Sequence, residues 1–184
     1  MKITLLGDSI RIGYGAKVSE LLGADYEVYQ PEDNCRFAKY TLRMLFDLAG
    51  DMQGSEIVHW NDGMWDICQL YPDEKPFTPL EEYIENMLRI ADILLQRYKT
   101  VIFATTTPVR EGNPYNRNEV IEQFNAAIVP LLKAKGVIIN DLYSLVAKDV
   151  EKYVREDDLL HLTDDGIEVC ARQVADVILQ ASKN

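Results

Sequence analysis

Two rhythms of hydrophobic and polar positions alternate along this chain. Short apolar runs, rich in β-branched residues, occur at 3–6, 26–29, 57–60, 101–105 and 137–139. Each has the length of a strand and is too short for a helix. Between them apolar residues recur every three or four positions, the spacing of one helical face. The clearest stripe runs Ile84, Met87, Leu88, Ala91, Leu94, Leu95 and Tyr98. It follows Thr78-Pro79-Leu80-Glu81, a capping box with proline at the first helical position. A last helix is predicted to start near Thr163. Asp164 and Asp165 suit the positive end of its dipole, and Ile167, Ala171, Val174 and Ile178 form its buried face. Further helices are predicted over 34–49, over a shorter segment ending near Gly23, and over 118–135. Pro130 predicts a kink or break in that last segment, and Gly136 a stop.

Strands that alternate with helices make parallel βαβ units joined by right-handed crossovers. The predicted fold is therefore α/β: a three-layer α/β/α sandwich with a five-stranded parallel sheet in the flavodoxin-like order 2-1-3-4-5. No repeat or composition break divides the chain, so one domain over 1–184 is expected. The proline-punctuated loop 71–79 is the longest irregular stretch, a place for a pocket border. In such a sheet ligands bind beyond the carboxyl ends of the strands. Those ends carry Gly7-Asp8-Ser9, Asn34-Cys35-Arg36, His59-Trp60-Asn61-Asp62-Gly63 and Thr105-Thr106-Thr107-Pro108, and Asp158-Leu159-Leu160-His161 precedes the last helix.

Composition narrows the function classes. A formal net charge of −11 argues against a partner whose phosphates must be tracked, so no nucleic acid is expected. No apolar run approaches the ~20 residues of a membrane span. Met1-Lys2 leads into an apolar run too short for a signal peptide, which predicts a cytoplasmic protein. Cys35, Cys68 and Cys170 contain no C-x-x-C pair and suit reduced thiols. Two histidines, His59 and His161, make a histidine-based metal site hard to build, and neither metal nor organic cofactor is expected.

Ser9 places a hydroxyl in a glycine-permitted turn at the sheet rim. Serine is a weak nucleophile until a base removes its proton. His161 is the candidate base, and Asp158, three residues earlier, is placed to reach its Nδ1–H and fix the tautomer. Acyl transfer also needs donors for the developing oxyanion. The amide of Ser9 and the side chain of Asn61 can supply them, whereas Asp62 would repel the charge. Each residue alone has a plainer reading: Gly7-Asp8-Ser9 as an ordinary strand-to-helix turn, Asn61 bonding its own turn, Asp158 as a solvated loop acid. Their common placement at strand ends favours the chemical one. Neither G-x-x-x-x-G-K-[ST] nor G-x-G-x-x-G is present, and there is no G-x-S-x-G elbow or H-E-x-x-H pair.

Gly7-Asp8-Ser9, Trp60-Asn61-Asp62-Gly63, Asp158-x-x-His161 and His161-Leu162-Thr163-Asp164-Asp165-Gly166 resemble, in order and spacing, the motif blocks of the SGNH (GDSL-type) hydrolases. The resemblance spans essentially the whole chain. It implies a serine esterase with Ser9 as nucleophile, His161 as base, Asp158 as orienting acid and Asn61 as side-chain oxyanion donor. By the same analogy the substrate is a small-molecule or carbohydrate ester with a short acyl group such as acetyl. Two positions depart from the pattern. No glycine stands in Asn34-Cys35-Arg36-Phe37, so an amide near Cys35 must complete the oxyanion hole. His59 replaces the glycine two residues before Asn61, either packing beneath the site or narrowing the pocket. Asp8, Arg11, Arg36 and Arg110 fall at the rim, where the arginines could hold a polar or anionic group or pair with local acids. Trp65 and Tyr14 could wall a sugar or an acyl chain. The rival reading is a degenerate flavodoxin-like module that binds an ester or glycan without turnover.

Overall fold

The computed structural model describes residues 1–183. Five parallel strands, β1 (Lys2–Leu6), β2 (Glu27–Tyr29), β3 (Ser55–Trp60), β4 (Thr100–Ala104) and β5 (Ile138–Asn140), form one sheet in the order β2-β1-β3-β4-β5. The expected architecture and strand order are both present. Helices cover the two faces: α1 (Ser9–Leu22) and α7 (Asp164–Ala181) pack together on one, and α2 (Ala38–Asp47), α3 (Leu80–Arg97) and α4 (Asn118–Ala134) line up on the other. Two short helices, α5 (Leu142–Val146) and α6 (Val150–Tyr153), carry the chain from β5 towards α7. Among the described residues no helix is long and apolar enough to cross a membrane.

The strands look uniformly apolar because the sheet is buried on both faces. Val101 and Phe103 join one core with Trp60, Met87 and Phe124, while Ile102 and Ala104 join the other with Ile3, Tyr14 and Val174. Alternate residues thus feed opposite layers. His59 lies two residues after Ile57, so it shares the face covered by α1 and α7.

Three local expectations are corrected. Helix α2 begins at Ala38, not Asn34, because Arg36 takes a left-handed backbone (φ 57°) that breaks helical continuity. Thr78 does not cap α3. Pro79 occupies the cap position without a side-chain hydrogen bond, and the Thr78 amide donates instead to the Asp66 carbonyl at 2.8 Å. Pro130 does not split α4, which runs through it. Pro130 and Ala126 are both exposed, so the carbonyl that loses its helical donor can be met by water.

Candidate active site

The turn Gly7-Asp8-Ser9 follows β1 without a spare residue. Gly7 has φ 149°, and a Cβ built there would sit 1.9 Å from Asn61 Oδ1. Only glycine lets Asn61 come so close. Asp8 caps α1, its Oδ1 accepting the Ile10 amide at 2.9 Å and Asn61 Nδ2 at 2.8 Å. A carboxylate oxygen with two such donors fixes which end of the Asn61 amide faces it, leaving the second N–H of Nδ2 for another acceptor. Ser9 is the first residue of α1, so its amide has no intrahelical acceptor and lies at the positive end of the helix dipole.

Residues 158–161 fold into a tight turn. Asp158 Oδ1 accepts the amides of Leu160 at 3.0 Å and His161 at 2.9 Å, and Leu159 pays for the bend with φ 61°. The Arg155 amide donates to the His161 carbonyl at 2.8 Å, and the Arg110 amide to the Leu159 carbonyl at 3.0 Å. Thr163 then caps α7 through Gly166. This scaffold brings together the three residues expected from the sequence. His161 Nδ1 lies 3.0 Å from Asp158 Oδ2, and His161 Nε2 lies 2.9 Å from Ser9 Oγ, across 152 positions of sequence. Burial works to raise the Asp158 pKa, but the two amides and the imidazole outweigh it and hold the carboxyl below its usual range. The carboxylate therefore stays charged opposite the imidazole.

The expected third oxyanion donor is corrected. The amide of Cys35 donates to the Gly7 carbonyl at 3.0 Å and is not free for a ligand. Arg36, one residue on, supplies the left-handed turn that a glycine would favour, and its amide donates to Asn34 Oδ1 at 2.7 Å. Cys35 is fully buried, and burial pushes its thiol up to about 11, so it is no rival nucleophile.

A cavity of about 520 Å³ opens beside Ser9 and His161. Of the seven residues expected around a pocket, Trp65 alone lines it. Asp8 is buried in its cap, where burial raises its pKa. Arg11 is buried too, its guanidinium donating to the carbonyls of Pro31, Gly7 and Asp33 and so tying the β1–α1 turn to the loop after β2. Tyr14 lies in the core, edge-on to His59. Arg36 is exposed and stacks over Tyr40, and Arg110 reaches Glu151. His59 is fully buried and lines neither cavity beside Ser9. Asn140 Oδ1 accepts from Gln173, so Asn140 Nδ2 faces His59 Nε2 at 3.1 Å and leaves the ring proton on Nδ1. Burial depresses its pKa to about 3, which keeps it neutral.

The cavity walls that sequence reasoning missed include Phe37, Met64, Leu70, Phe77, Tyr115 and Leu160. Their signal was present: large apolar residues inside proline- and asparagine-rich irregular segments, where polar ones belong. Only the loop 71–79, through Phe77, was expected at a pocket border. Among the described residues no group of acidic, histidine or cysteine side chains could hold a metal ion, and the three cysteines are free.

No family model matches the chain. The GDSL esterase/lipase CPRD49 of Arabidopsis thaliana is 26% identical over 204 residues, covering 98% of this chain and 79% of that protein. A lipase/acylhydrolase from Enterococcus faecalis superposes with a TM-score of 0.80 at 19% identity, covering 96% of this chain and 94% of that one. Axe2, an acetylxylan esterase from Geobacillus stearothermophilus, does so with a TM-score of 0.75 at 16% identity, over 94% of this chain and 91% of its own. At these identities the two structural likenesses are of fold.

Proposed function

We propose that the chain is a serine carboxylic ester hydrolase of the SGNH (GDSL-type) family, working through a covalent acyl-enzyme. The observation that carries this reading is the continuous chain Ser9 Oγ···His161 Nε2 and His161 Nδ1···Asp158 Oδ2, at 2.9 and 3.0 Å. Ser9 Oγ attacks the ester carbonyl carbon while His161 Nε2 takes its proton. Asp158 keeps the ring in the tautomer that can accept and stabilises the imidazolium that results. The oxyanion meets the Ser9 amide and the free N–H of Asn61, at the positive end of α1. As the tetrahedral intermediate collapses, His161 returns the proton to the departing alkoxide. Water then attacks the acyl-enzyme by the same route, giving the acid and restoring Ser9.

One observation favours the rival reading of a binding module without turnover: the amides of Cys35 and Arg36 are both engaged internally, leaving two oxyanion donors. Intact mass after exposure to a fluorophosphonate, beside a Ser9→Ala control, separates the two. A single adduct on the wild type and none on the variant supports the hydrolase. A folded wild type that takes no adduct turns the reading to the binding module.

A further inference from the structure

Among the described residues ten large apolar side chains are exposed, and four of them, Trp65, Leu70, Phe77 and Tyr115, line the larger of two cavities beside Ser9 and His161. Exposed apolar surface costs free energy in water, and its concentration in one concave place marks a ligand site. The rest of the wall agrees. Although 27% of the chain is charged, no acidic or basic side chain other than His161 stands on it. Phe37 packs against Phe77 with ring centroids 5.4 Å apart, so the aromatic side is a braced wall. A sugar placed here would leave most hydroxyls without partners, because Asn34 and Asn116 are the only amide side chains present and Asn116 Oδ1 is shut off from solvent. A second cavity of about 280 Å³ lies on the other side of the Ser9–His161 pair, bordered by Ile12, Gly13 and Arg155. The two halves of an ester therefore have separate places to lie.

We infer, on the ester-hydrolase reading above, that the substrate carries a hydrocarbon or aryl group on one side of its scissile carbonyl and that this group fills the larger cavity. The chemistry required of that group is the same whether it belongs to the acyl or the alcohol half. An acetyl ester of an unmodified sugar leaves this surface unused.

The test is proton release from two ester series, each with a minimal opposite half. Methyl acetate, butanoate, hexanoate and octanoate probe the acyl side, and methyl, butyl, hexyl and octyl acetate probe the alcohol side. A buried methylene is worth about fourfold in kcat/KM. In one series kcat/KM should climb at least tenfold from the shortest to the longest ester before levelling, and the series that climbs identifies the half. Trp65→Ala and Phe77→Ala, at side chains with solvent on one side, should each lower that gain more than they lower the rate on the shortest ester. A flat or falling trend in both series, with the fluorophosphonate still labelling Ser9 in full, overturns the inference and leaves the hydrolase reading standing. No turnover together with no labelling means that the hydrolase reading itself has failed, and the inference with it.

Discussion

One aspartate–histidine pair stands at the rim of this molecule, while a second histidine and three further aspartates lie buried, and the two settings are chemically unlike. At the rim, Asp158 and His161 keep 36% and 43% of their side chains in solvent. Beneath the floor, His59 and the carboxyls of Asp8, Asp62 and Asp66 are shut away from water. Water and three donors keep Asp158 ionised. Burial does the opposite to Asp66, raising it to about 7 even though Thr78 and the Ala38 amide bond to it, and it raises Asp62 well above the usual range. The buried groups serve as joints: Asp66 Oδ2 takes the Ala38 amide at the start of α2, and Asp62 Oδ1 takes Thr41 Oγ1. Residue type therefore says little about role. Solvation and the count of fixed donors separate a group that can cycle a proton from one that holds a wall.

That contrast can be broken by substitution. His161→Ala should lower kcat on a turned-over ester about a million-fold, and Asp158→Ala less severely, by about 10,000-fold, each measured against the background rate. Near-normal rates in either variant would remove the rim pair from the chemistry. Asn61→Ala should cost about 100- to 1000-fold in kcat through the lost oxyanion donor, with KM little changed. An effect confined to KM would instead make Asn61 a ground-state contact. His59→Gln should leave kcat within about twofold and lower stability by about 1–2 kcal/mol, read from denaturant midpoints. A large fall in kcat with stability intact would move the buried histidine into the machinery.

The smallest effect sharpens the comparison through pH. Asp66 in the folded chain keeps its proton up to about 7, whereas in the unfolded chain it loses it near its ordinary 3.8. Between those values the folded state binds more protons, so this group's stabilising contribution is present below about pH 4 and is lost as pH rises towards 7. Asp8 and Asp62, the neighbouring buried carboxyls, slope the same way. Asp66→Asn should therefore gain stability relative to the wild type as pH is raised from 4 to 7, seen in paired unfolding curves. A difference that stays constant across that range would mean that Asp66 is ionised when folded.

The sequence by itself determined the layered α/β fold, the strand order and the residues of the rim turn. Those rest on local periodicity, crossover handedness and the three-residue spacing from Asp158 to His161, all carried by short stretches of chain. Only the tertiary structure shows why position 7 is glycine: Asn61 Oδ1, from a residue 54 positions away, would stand 1.9 Å from any Cβ there. Tertiary structure alone decided that the Cys35 amide is engaged, because that depends on the Gly7 carbonyl at the end of another strand. It likewise decided that Arg11, Tyr14 and His59 belong to the interior, and that Leu70, Phe77 and Tyr115 form one wall with Trp65. Burial and convergence are properties of segments distant in sequence, and no local pattern encodes them: an apolar residue in a loop looks the same whether it is stranded in solvent or closes a cavity beside a serine.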